Sequence, residues 1–97
     1  MVKRAGRRLR TEHLDVRASD SLLSHPRVAV VVGKQGHTII ERNRLRRQLR
    51  ELVRTRLLPV LGGVDLVIRA VSTAYDATFD QLKAEMESLR SRLETVS

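Results

Sequence analysis

Two runs rich in β-branched residues, "RVAVVVG" (residues 27–33) and "VDLVIRAVS" (residues 64–72), stand on either side of a long stretch with the period of a helix. That order points to a βαβ unit. A short β-branched run between Pro26 and Gly33 has the form of a strand buried on both faces, which would put it at the centre of a sheet. The stretch between the runs places Leu45, Leu49, Leu52, Val53 and Leu57 on one stripe, which predicts a helix with a single buried side. Thr38 is positioned to cap that helix near Ile39. Pro59 and the glycines of "LGG" end it. Strand, helix, strand predicts that both runs lie in one sheet, with the helix packed across it.

Upstream, "RLRTEHLDVRA" (residues 8–18) reads as one further strand at an edge, with Leu14 and Val16 on the same side. Residues 18–26 read as a loop ending at Pro26. Downstream, Thr78 and Gln81 have the spacing of a capping box, and Phe79, Leu82, Met86, Leu89 and Leu93 form a second apolar stripe that should pack on the sheet. No segment repeats. At 97 residues the expectation is one domain of α/β class, a small two-layer sandwich of helices on a sheet.

Charge narrows the function. Lys+Arg number 19 against 11 Asp+Glu, for a formal net charge of +8, so the chain attracts polyanions. Much of the excess lies in "ERNRLRRQLREL" (residues 41–52), where Arg42, Arg44, Arg46, Arg47 and Arg50 surround Asn43 and no acid falls between Glu41 and Glu51. Asn43, Arg46, Arg47, Arg50 and Arg54 share the side opposite the leucine stripe. A stable solvated helix usually mixes acids with bases at a spacing of four, and like charges there cost about 0.2–0.5 kcal/mol per pair. A phosphate backbone would offset that cost. Arginine suits the task because its planar fork grips phosphate with two bonds. Lys34 could join it from the preceding turn.

Other chemistries find little support. Cysteine is absent, which excludes disulfides and thiolate metal sites and is compatible with the cytoplasm. No apolar run approaches the roughly 20 residues that span a bilayer, so no membrane partner is expected. The opening "MVKRAGRRLR" has no apolar segment after its charges and is not a secretory signal. His13, His25 and His37 are scattered, the acids Asp15, Asp20, Asp65 and Asp76 fall on different elements, and "GKQG" (residues 33–36) lacks the ending of a phosphate-binding loop. A helix-turn-helix DNA reader would need a helix where "VAVVV" stands. No catalytic residue and no metal ligand is expected in the protein.

"RVAVVVGKQ" followed by "ERNRLRRQLREL" resembles the protein subunit of bacterial ribonuclease P, in which a strand precedes a helix carrying an R-N-R-x-[KR]-R-x-x-R-E signature. Arg42, Asn43, Arg44, Arg46, Arg47, Arg50 and Glu51 match it, and the likeness extends over most of residues 6–93. The resemblance implies a mixed sheet with a left-handed βαβ crossover, although such crossovers are generally right-handed. It also implies that a partner RNA is the catalyst, cutting the 5′ leader from precursor transfer RNA with Mg²⁺ held mainly by the RNA. Lys34, Arg42, Asn43, Arg44, Arg46, Arg47 and Arg50 would then contact the catalytic RNA, while Leu14 and Arg17 occupy positions suited to the leader. The family's usual first helix is expected to be absent, with residues 1–7 a flexible basic arm. The alternative is a stand-alone or ribosome-associated RNA-binding domain without processing activity. No protein partner is expected.

Overall fold

A computed structural model describes residues 7–20, 25–33 and 36–95. Its elements in chain order are β1 (Arg7–Arg10), β2 (Leu14–Asp20), β3 (Arg27–Val32), α1 (Ile39–Leu52), β4 (Val64–Ala70) and α2 (Phe79–Thr95). The strands form one sheet in the order β1-β2-β4-β3. Its β1/β2 and β2/β4 pairs are antiparallel and its β3/β4 pair is parallel. Parallel neighbours require a crossover, and α1 supplies it.

Strand periodicity sends alternate residues to opposite faces. Leu14, Val16 and Ala18 of β2 and Leu66, Ile68 and Ala70 of β4 are buried on one face. There they form one core with Leu45, Leu49, Leu52, Val53 and Leu57 and with Leu82, Met86, Leu89 and Leu93 of α2. Each fully buried aliphatic side chain contributes about 1.5–3 kcal/mol, so the aliphatic core compensates for the scarcity of aromatic residues. Helices cover this face alone, as the two-layer expectation requires. Arg17, Val67, Val31 and Arg69 lie exposed on the other face.

Four local expectations need correction. Residues 8–18 form a hairpin rather than one strand, and Arg7 begins β1 instead of ending a flexible arm. Residues 1–6, the rest of that arm, lie outside the described residues. The turn is closed by the Thr11 N–H, which donates to the Leu14 carbonyl at 2.9 Å. Second, β3 is an edge strand with alternate residues exposed, and β4 separates it from β2. A run of valines looks alike whether one face or two is covered; only tertiary packing decides.

Third, α1 leaves regular α-helical bonding at Val53. A π-helical turn (Val53–Leu57) and a 3-10 turn (Leu58–Val60) continue it, so Pro59 falls in the 3-10 turn. Fourth, Phe79 is 40% exposed although the other four members of its stripe are buried. It is the first residue of α2.

Candidate nucleic-acid interface

The direction of the arginines follows from how α1 is started and seated. Thr38 Oγ1 accepts from the Glu41 N–H at 3.1 Å, and the Glu41 carboxylate accepts from the Thr38 N–H at 2.8 Å. This reciprocal pair satisfies two donors that a helix start leaves without partners. It also draws the Glu41 pKa below the ordinary value, chiefly through the Thr38 N–H. With Leu45, Leu49 and Leu52 buried, rotation of the helix is fixed.

Asn43, Arg46, Arg47, Arg50 and Arg54 consequently line one shallow depression of about 380 Å³, together with Glu51. Within it the Asn43 side-chain oxygen accepts from Arg46 at 2.9 Å. Glu51 pairs with Arg54 through two bonds, the shorter 2.6 Å, and the guanidinium lowers the Glu51 pKa. Arg47 and Arg50 are exposed and have no carboxylate partner among the described residues. Glu51 therefore does more than bracket the run: it reaches this face and neutralises its C-terminal arginine. Its spacing of three from Arg54 was the available sequence signal.

The remaining candidates separate. Arg42 is half-buried on one flank, where its charge acts on the Tyr75 hydroxyl. Arg44 lies on the other flank and lines a second hollow. Lys34 lies outside the described residues. Leu14 is 0% exposed and faces the core, so it offers no surface to a leader. Position in the sequence suggests the equivalence, whereas strand parity turns the side chain inward.

Arg17 does lie on the open face, paired across the ladders with Arg8 and Val67. Arg8 binds Asp15 at 3.0 Å and Arg27 binds Asp65 at 2.9 Å. The Arg8 hydrogen bonds hold the Asp15 carboxyl below the usual range. Arg10 and Arg69 stand opposite Asp15 in the two neighbouring ladders. Sequence alone does not single out these further cations, because placing them requires the hairpin register.

Among the described residues, Glu12, His13 and Glu85 bring together side chains of metal-ligating type. Their geometry is that of a strut between the β1/β2 turn and α2. The buried His13 donates its backbone N–H to Glu85 at 2.8 Å, and its ring and the Thr11 hydroxyl also bond that carboxylate. Burial pushes the Glu85 pKa up, but bonds from Thr11 and His13 more than offset it and the net shift is downward. Mg²⁺ favours six oxygen ligands. A buried imidazole and a carboxylate already engaged through both oxygens do not suit it.

A small mixed-sheet domain that holds Arg47 and Arg50 on one helix face, without carboxylate partners among the described residues, has the build of the polyanion-binding class. The family model described as Ribonuclease P matches residues 1–94, and the chain belongs to this family as a ribonuclease P protein subunit. It is 36% identical over 94 residues to the ribonuclease P protein component of Acidothermus cellulolyticus, covering 95% of this chain and 78% of the relative. Identity is 34% over 96 residues to that of Streptomyces griseus subsp. griseus, covering 94% and 78%. The solved RNase P protein from Thermotoga maritima in complex with 1-(4-fluorophenyl)-2-thiourea superposes with a TM-score of 0.79 at 25% identity, over 90% of this chain and 85% of that one. A Staphylococcus aureus RNase P protein mutant shares the fold, with a TM-score of 0.81.

Proposed function

We propose that this subunit binds the ribonuclease P RNA through Asn43, Arg46, Arg47 and Arg50, with Arg42 and Arg44 extending the contact on either flank and Lys34, which precedes α1 in the sequence, adding to it. Family membership supplies the partner. The carrying observation is that Arg47 and Arg50 are exposed on a fixed helix without carboxylate partners among the described residues. In this reading the RNA holds both the catalytic centre and the Mg²⁺, and removes the 5′ leader from precursor transfer RNA in the cytoplasm. The protein substitutes guanidinium charge for some of the cations that would otherwise screen the RNA. Arg17, on the open sheet face, lies where a leader strand could be held mainly by charge.

Reconstitution tests the proposal. Protein alone should cleave no precursor transfer RNA, and the cognate RNA alone should do so at high Mg²⁺. Adding protein should restore cleavage when Mg²⁺ is lowered. Binding without that rescue would favour a stand-alone RNA-binding domain; metal-dependent cleavage by RNA-free protein would contradict the assignment of the catalytic centre.

A further inference from the structure

The chain has one tyrosine, one phenylalanine and no tryptophan, yet Tyr75 and Phe79 line the same hollow of about 500 Å³ between α1 and the start of α2. His37 lines it too, its ring stacked on that of Tyr75 with centroids 3.5 Å apart and planes 6° from parallel. The Tyr75 hydroxyl donates to the Gly33 carbonyl at 2.6 Å, so the wall is anchored to the end of β3. Phe79 remains 40% exposed. An aromatic ring is among the largest apolar surfaces folding can bury, and here it is left available beside a fixed aromatic wall.

The polar lining completes the hollow. Arg44 enters from the flank of the arginine face, and Gln48 lies one turn further along α1. Glu41 is held by the Thr38 N–H, whereas Asp76 offers an exposed carboxylate. That carboxylate disfavours a phosphate deep in the hollow and suits the N–H donors of a base edge. Aromatic surface, an amide and an acceptor inside, with a guanidinium continuous with the polyanion face, is the chemistry by which unpaired RNA bases are held.

We propose that this hollow takes one unpaired base of the ribonuclease P RNA, stacked on Phe79 with its edge toward Gln48 and Asp76 and its phosphate toward Arg44. The inference rests on the RNA-binding reading above. It extends the contact from backbone charge to a base at a defined place.

Phe79→Leu keeps apolar bulk and removes the ring, and it should weaken binding to ribonuclease P RNA by roughly 5- to 150-fold, the range that stacking of one base carries. Its salt dependence should stay that of the parent, because no phosphate contact is lost, and Phe79→Tyr should restore affinity. If Phe79→Leu melts like the parent and binds equally well, the base site is wrong while the arginine-face reading stands. Failure of the unmodified protein to bind this RNA would sink both. A second measurement needs no variant: with one tyrosine and no tryptophan, tyrosine emission reports Tyr75 in the wall of this hollow. Saturation with the RNA should quench it after correction for RNA absorbance, and unchanged emission would overturn the inference.

Discussion

The outward face of α1 and the open face of the sheet are both rich in arginine, yet they use the charge differently. On the sheet, Arg8 and Arg27 are committed to Asp15 and Asp65. Those bonds tie β1 to β2 and β3 to β4, so the cations reinforce the strand order. On α1, Arg47 and Arg50 have no carboxylate partner among the described residues, and Glu51 is taken by Arg54. Arginine content alone does not mark an interface. Arg17 and Arg69 on the sheet also lack a carboxylate partner among the described residues, so what distinguishes the helix is unmatched charge gathered on one face of an element whose opposite side is locked into the core.

The comparison breaks most readily from beneath. Leu49→Ala removes a 0% exposed side chain and should cost about 2–5 kcal/mol in thermal or denaturant unfolding, disturbing the arginine face with it. Val67→Ala, on the open sheet face at 41% exposure, should change stability by no more than about 0.5 kcal/mol. Equal losses would mean that the faces are misassigned. Next in size, Arg46→Ala with Arg47→Ala should weaken RNA binding about tenfold or more, a charge-assisted contact being worth ~1.5–3 kcal/mol. The Arg8→Ala, Arg27→Ala pair should weaken it much less, since those guanidiniums already have partners.

Smaller effects sharpen the account of each support. Thr38→Ala removes the cap of α1 and should cost about 1 kcal/mol, detectable as a lower Tm with RNA-binding salt dependence retained. The smallest effect expected is on pH. Glu85 and Asp15 both have folded pKa values below their ordinary ones of 4.5 and 3.8. Stability from these groups is present above the unfolded pKa and lost as pH falls through the depressed folded value. Melting between pH 5 and pH 3 should show that decline, and Glu85→Gln should flatten part of it. An unchanged acid profile would show that the strut to His13 contributes nothing measurable.

How much of this could be read beforehand depended on whether the information was local. The buried stripe of α1, its Thr38 cap, β4 and the Thr78/Gln81 box all follow from spacings within one element, and all are observed. The β1/β2 hairpin was missed because Thr11, Glu12 and His13 include no glycine, asparagine or proline, and the turn is fastened by Glu85, 72 residues from His13. The edge position of β3 was hidden by its uniform run of valine and alanine. Arg46, Arg47 and Arg50 were legible as one face because helical period is local. The hollow at Tyr75 and Phe79 was not, since it needs His37 and Arg44 brought to them by the fold.

The salt dependence of RNA affinity tests the central claim most directly. Each arginine that neutralises a phosphate releases counterions, contributing about −0.7 to −0.9 to the slope of log affinity against log salt. Measured on the ribonuclease P RNA from low to physiological salt, the unmodified protein should give a steep slope. Arg46→Ala with Arg47→Ala should make it shallower by about 0.7–0.9 for each arginine removed, while Arg8→Ala with Arg27→Ala should leave it nearly unchanged. A slope that responds equally to both pairs, or to neither, would contradict the assignment of the RNA-binding surface to the unmatched face of α1.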